Sequence, residues 1–299
     1  MRDSLVTFTD RVGPIDFYVV ALLDVLGQSR KLAPLDYLPT TQQEEDRLHE
    51  GIRSVFGPVL ALRRRFADYT RDNATIVTSF LRERRIRNDA ERTTCEDTGV
   101  RFMQVADAVV AFVPASDQSN RLNVGVVFSF LSACASSVVS AMEDGVAIRG
   151  AIEIGMGALF PEGDLYGPVI ANVHSMESNQ ACYPRVLIGP KLQRNLEVLR
   201  ECSNSTTAEG DHCELAKECL QLTYVDDDGL RALDYLGQVF VEAIQEKAPW
   251  SLARRKAAAF VRTERDRFQR EGSEKLFERY RRLYHYFESR GLCREANGA

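Results

Sequence analysis

The order of apolar segments predicts an α/β or α+β sandwich, with helices packed against one mixed sheet. Three observations carry that reading. Residues 17–27 hold an apolar run that reads as a strand buried on both faces. Residues 102–112 read as strand, tight turn, strand, and residues 122–142 form a nearly all-apolar segment of helical length.

Each element follows in order. The first strand, Phe17-Tyr-Val-Val-Ala-Leu-Leu-Asp-Val-Leu-Gly27, ends in Asp24 and then a glycine. Residues 28–47 are polar and contain Pro34 and Pro39. A helix is expected over 48–66 from the spacing of Ile52, Val55, Phe56, Val59 and Leu60, closing in Arg63, Arg64 and Arg65. A second helix is expected over 75–86, then a charged loop to Thr98, so about 35–98 reads as a helical insertion. The hairpin Phe102-Met-Gln-Val-Ala-Asp-Ala-Val-Val-Ala-Phe112 places Asp107 at its tip. In the helix over 122–142, small Ser and Ala residues allow close packing. A strand over 146–154 follows, then a helix over 168–178 opened by Pro168, then a short strand over 185–188. From about Asp226 the character changes to helices, expected over 230–244 and 251–289. The second is amphipathic, with Phe260, Val261, Phe268, Leu276, Phe277, Tyr280, Leu283, Tyr284 and Phe287 on its apolar side, and is expected to pack on the domain or a partner subunit. The expected organisation is one domain over 1–225 and a helical extension over 226–299.

A chain of 299 residues with 44% hydrophobic content can build a sizeable core. Its net charge of −5 gives no reason to expect nucleic-acid binding. The N-terminus lacks an apolar signal core and no apolar run is expected to reach membrane-spanning length, so a cytoplasmic protein without membrane contact is expected. Seven scattered cysteines suit free thiols in a reducing compartment. His212, Cys213 and Cys219 lie near Cys202 but lack a paired Cys-x-x-Cys spacing, which argues against zinc.

Asp24 and Asp107 are the candidate chemical centre. A carboxylate at the end of a buried strand is costly unless something neutralises it, and either aspartate alone reads as a strand or turn cap. Two on one sheet can hold divalent cations, which commonly hold a triphosphate. A third block extends the pattern: Ala147-Ile-Arg-Gly-Ala-Ile-Glu-Ile-Gly155, then Asp164-Leu-Tyr-Gly-Pro-Val-Ile-Ala171, then Met176-Glu177.

This ordered set, over roughly 17–190, resembles the class III nucleotide cyclases. They share a strand ending in a metal Asp near Gly, a hairpin carrying the second metal Asp, an Arg-bearing strand ending in Gly, and a helix closing in Leu-Glu or Met-Glu. Within that superfamily the chain looks most like the pyrimidine (uridylate/cytidylate) cyclases of bacterial Pycsar anti-phage defence systems. The shared features are the Leu23-Asp-Val-Leu-Gly27 start, the long insertion, Arg149-Gly-Ala-Ile, the Tyr166-Gly-Pro168 turn and the charged helical tail.

The resemblance implies an α+β, class III cyclase-like (ferredoxin-like) mixed sheet with helices packed on it, plus the C-terminal extension. It implies Asp24, Asp107 and the Val25 carbonyl as ligands of two Mn²⁺ or Mg²⁺ ions, with N–H groups of Val25, Leu26 and Gly27 toward the phosphates. Met103 stands where purine enzymes read the base with Lys. Asp164 falls at a base-recognition position, Ala171 where they keep a transition-state Asn, and Ser175 where they keep an Arg. Arg149 and Arg185 are the candidates for the missing cation, Arg149 foremost. The implied reaction is UTP to 3′,5′-cyclic UMP and pyrophosphate. The alternatives are CTP to cyclic CMP, or a silent nucleotide-binding and dimerisation module. Met103 and Ala171 speak against a purine cyclase, and the acidic balance against a two-metal nuclease. The implied partners are a second copy, in a homodimer with composite sites, and a separate cyclic-nucleotide-responsive effector without direct contact.

Overall fold

The eleven residues of β1 (Ile15–Val25) turn alternate side chains into two different apolar layers, and that strand organises the chain. The computed structural model describes residues 15–84, 99–105, 107–116, 121–161, 163–201, 207–244 and 249–293. After β1 come α1 (Gln28–Leu32), α2 (Gln42–Arg84), the hairpin β2 (Arg101–Val105) and β3 (Ala108–Pro114), then α3 (Val124–Glu143) and β4 (Ile148–Leu159). β5 (Leu165–Tyr166), α4 (Pro168–Asn179), β6 (Val186–Ile188), α5 (Pro190–Glu201) and α6 (Thr207–Gln221) follow. The chain closes with β7 (Thr223–Val225), β8 (Arg231–Leu233), α7 (Gln238–Ile244), α8 (Pro249–Arg270) and α9 (Glu274–Ser289).

The result is an α+β protein with one mixed sheet of order β2-β3-β1-β4-β6-β8-β7, β5 pairing with β4. β1 runs antiparallel to both β3 and β4, whereas β4 and β6 are parallel. On one face, Val19, Ala21, Leu23 and Val25 join a large core with α2, α3, α6, α8 and α9. On the other, Tyr18, Val20 and Leu22 meet a smaller cluster capped by Val169, Val173 and Met176 of α4. Among the described residues, one face is deeply covered and the other carries a single helix, α4. Asp24 belongs to the second face.

Several expectations change in the folded chain. Residues 42–84 form one helix rather than two, begun by a capping box in which the Thr41 hydroxyl accepts the Glu44 N–H and the Glu44 carboxylate accepts that of Thr41. Its buried stripe is Val55, Val59, Leu62 and Phe66, while Ile52, Phe56 and Leu60 point outward. The apolar spacing was real, but its inner edge lies one helical position further on. The helix expected over 230–244 is split into β8 and α7, because Ala232 pairs with Leu187 and Tyr224 inside the sheet. The helix expected over 251–289 breaks at Gly272, whose φ of 64° ends α8 and lets α9 fold back along it.

Residues 223–225 and 231–233 form a hairpin across the boundary expected at 225/226. Val261, Phe268, Leu283 and Phe287 of the tail complete the main core, so the tail packs on its own chain. α3 is long and apolar enough to cross a membrane, contrary to the expectation that no run reaches that length; here it is the almost wholly buried centre of the larger core.

Candidate active site

Strand register places the candidate residues before any side chain is considered. Asp24 lies opposite Ala108 on one side and Arg149 on the other. Directly opposed residues share a face with Cβ atoms roughly 5 Å apart, so Asp24 and Arg149 are committed to each other by the pairing of β1 with β4. Asp107 occupies the turn just before Ala108, and its carbonyl accepts the Val25 N–H at 3.4 Å. The hairpin turn is thereby fastened to the end of β1, which brings the two aspartates together.

Arg149 Nη2 donates to Asp24 Oδ2 at 3.1 Å and forms a second ion pair with Glu177 of α4. All three side chains are largely buried. Arg149 thus pairs with two carboxylates, and Asp107 adds a third carboxylate charge beside Asp24. Burial, reinforced by the charges of Asp107 and Glu177, pushes the Asp24 carboxyl up to about 6 despite the opposing pull of Arg149. With three carboxylates near one guanidinium, the place is also short of positive charge.

That shortage fits a divalent cation. Mg²⁺-type sites commonly use one or two carboxylates and leave the remaining positions to water and substrate phosphates. Among the described residues no group of three or more His, Cys, Asp or Glu side chains converges on a metal position. Asp24 and Asp107 are thus a two-carboxylate candidate rather than an all-protein cage. Of the residues weighed for zinc, Cys213 and Cys219 are buried in α6, burial pushes the Cys219 thiol up, and Cys202 lies outside the described residues.

The loop after Asp24 is only partly available to a ligand. The Val25 N–H is taken by Asp107 and the Leu26 N–H by the Ala147 carbonyl at 3.0 Å, so neither serves a phosphate as expected. Leu26 packs against the main core. Gly27 has φ 87° and open space where a side chain would stand, which suits close approach by an anion. Gln28 is buried, and its Oε1 has no hydrogen-bond partner among the described residues.

The remaining candidates divide into two groups. Met103 belongs to the row Met103–Val110–Leu22–Ala151, on the face that carries Asp24. With strands about 4.8 Å apart, it sits about 10 Å from the axis of β1, within reach of a nucleotide extending from Asp24. Asp164, Ala171 and Ser175 are exposed; Ala171 and Ser175 share the outer face of α4, opposite the Val169–Val173–Met176 stripe. Arg185, the second candidate cation, is buried in ion pairs with Asp226 and Asp228 and does not enter the cluster. In the sequence Glu177 is only the end of a motif; its contact with Arg149 depends on how α4 crosses the sheet, which residue spacing does not reveal.

Compared with known proteins, the chain matches no family model and no curated relative.

Proposed function

We propose that this chain is a pyrimidine nucleotide cyclase converting UTP to 3′,5′-cyclic UMP and pyrophosphate, a second messenger for anti-phage defence. The carrying observation is the meeting of Asp24, Asp107 and Arg149 at one end of β1. The β–α–β–β–α–β succession with antiparallel order β2-β3-β1-β4 agrees with the ferredoxin-like arrangement of the cyclases and supports that finer fold assignment.

In this reading the 3′-oxygen attacks the α-phosphorus in line, the O3′–P bond forms, the bond to the β-phosphate bridging oxygen breaks, and pyrophosphate departs. Asp24 and Asp107, with the Val25 carbonyl, would hold Mn²⁺ or Mg²⁺. Two bound ions would acidify the 3′-hydroxyl and neutralise the leaving charge. Arg149, oriented by Glu177, supplies the chain's own positive charge beside the phosphates. Met103 and its apolar row offer no donor to a purine edge, and a site that leaves a base's polar groups unpaired rejects it.

The outward Asp164, Ala171 and Ser175 are assigned to the partner's site in a two-fold homodimer, where each contact occurs twice. A dead Asp24→Ala chain mixed with a chain disabled at 164–175 then regains part of its activity. Failure to recover, with subunit exchange confirmed, places a complete site in each protomer.

The Asp24–Arg149 ion pair also favours a second reading, a silent nucleotide-binding module in which the guanidinium stands in for the cation. Incubation with each of the four ribonucleoside triphosphates and Mn²⁺, with identification of the product, separates the readings. Cyclic UMP is expected and cyclic CMP is the alternative. Cyclic AMP as the main product overturns the base assignment, and no cyclic product from any substrate overturns the enzyme.

A further inference from the structure

Arg185 lies just before β6, outside the candidate active site, and is 1% exposed. Its guanidinium is enclosed by polar partners. Nη1 donates to Asp226 and, at 3.0 Å, to Asp228; Nη2 donates to Asp228 and, at 3.0 Å, to the Gln180 carbonyl. It also lies 4.8 Å over the Tyr183 ring, whose hydroxyl donates to Asp226 at 2.6 Å.

Two of these attachments lead to the active site. The Arg185 backbone carbonyl accepts the Gly150 N–H at 2.9 Å, and Gly150 directly follows Arg149. Gln180 caps the C-terminal end of α4, the helix that carries Glu177. One residue therefore tethers both members of the Arg149–Glu177 pair, one by backbone and the other by side chain. The strand has no slack at this point. A Cβ on Gly150 would stand 2.4 Å from the Leu22 carbonyl oxygen and 2.9 Å from Leu23 Cδ2, so β4 is pressed against β1 beside Asp24.

The far side of the cage belongs to the C-terminal helix. Arg282 of α9 lies 5.2 Å over the same Tyr183 ring. The Tyr224 hydroxyl is 3.4 Å from that of Tyr183, and the Tyr224 ring stacks on Tyr286 of α9 at 5.1 Å. Arg290 then grips Asp234 with Nε at 3.1 Å and Nη2 at 2.6 Å.

We infer that Arg185 is a positioning residue that holds Arg149 and Glu177 in place against Asp24, with α9 closing the cage around it. This rests on the cyclase reading of the Asp24 site, and it gives the C-terminal tail a function in catalysis without contact with substrate. Arg185 touches no reacting atom. Its planar fork binds the two aspartates and the Gln180 carbonyl together, a geometry a lysine cannot reproduce.

The test uses the full-length chain with Asp228→Asn, Arg185→Lys and, as reference, Asp24→Asn. Asp228 is partly exposed, so its isosteric replacement leaves the core intact. UTP turnover with Mn²⁺ is measured alongside hydrogen exchange at Gly150, at residues 177–181 and, for comparison, in α3. Asp228→Asn is expected to lower kcat about tenfold while the KM for UTP stays within about twofold, as expected of a misplaced group and not a lost binding contact. Exchange speeds up at Gly150 and 177–181 but not in α3. Arg185→Lys does the same or more. Wild-type kcat and exchange in both variants, with Asp24→Asn inactive, overturn the inference and leave the cyclase reading standing. If the wild-type chain converts no triphosphate, the cyclase reading fails, and exchange alone decides whether the tether exists.

Discussion

The Asp24 and Arg185 clusters use the same residue types on the same sheet and reach opposite electrostatic states. Around Arg185, two aspartates meet its guanidinium and the nearby charge of Arg282, and the Arg185 hydrogen bonds hold Asp228 below the usual carboxylate range. Around Asp24, one guanidinium pairs with two carboxylates, Asp24 and Glu177, the Asp107 carboxylate adds a third negative charge, and Asp24 is pushed up to about 6 by burial and like charge. The first set balances its charges; the second holds an excess of negative charge that a divalent cation would offset. Sequence offered Arg149 and Arg185 as candidates, Arg149 foremost; position separates them, since Arg149 pairs with Asp24 and Arg185 with Asp226 and Asp228.

The largest expected effect is on the unbalanced side. Asp24→Asn and Asp107→Asn should each reduce UTP cyclisation to background, read by product formation. Asp24→Asn should leave the cation-free protein as stable as the wild type or raise its unfolding midpoint, because one charge leaves a surplus of like charge. A large loss of stability would mean that Asp24 is a structural partner of Arg149.

On the balanced side the effect falls on stability. Arg185→Ala leaves two aspartates without their cation, and breaking such a buried pair costs about 3–5 kcal/mol, measurable by chemical denaturation. The cost of Arg149→Gln should instead depend on pH. It is smaller at about pH 5, where Asp24 is protonated, than at about pH 8, where the abandoned carboxylates are charged.

The wild-type protein carries a related signature. The folded value of Asp24, about 6, lies above its ordinary 3.8, so between these values the native state binds more protons than the unfolded state. Stability from this group is therefore present at low pH and declines as pH rises from about 4 to about 6, by up to about 3 kcal/mol. Added Mn²⁺ should reduce the decline. The smallest effect is expected at the outer face, where Ser175→Ala should change stability by less than about 0.5 kcal/mol. Lower turnover in that variant would support the composite dimer site.

Much of this was legible in the sequence where local pattern suffices. β1, the Asp107 hairpin, α3, α4 and β6 each carry an apolar run or a turn signal of their own. β8 does not, because three residues become a strand only when β6 and β7 flank them. α2 reads as two helices because its polar middle hides the continuity of a helix held along α3 by Val55, Val59, Leu62 and Phe66. The aspartate pair was visible because each member interrupts an apolar run. The pairing of Arg149 with Glu177 was not, since it arises where a helix crosses a strand, and neither were the protein carbonyls that engage the Val25 and Leu26 N–H groups.

The most direct measurement is a Mn²⁺ titration of the full-length protein, Asp24→Asn and Asp107→Asn, with free Mn²⁺ followed by electron paramagnetic resonance at about pH 5 and about pH 8, on either side of the Asp24 transition. Saturable binding by the wild type at the higher pH, weaker at the lower pH and lost in both variants, is the predicted result. Binding that both variants retain, or no saturable binding by the wild type at either pH, would contradict it.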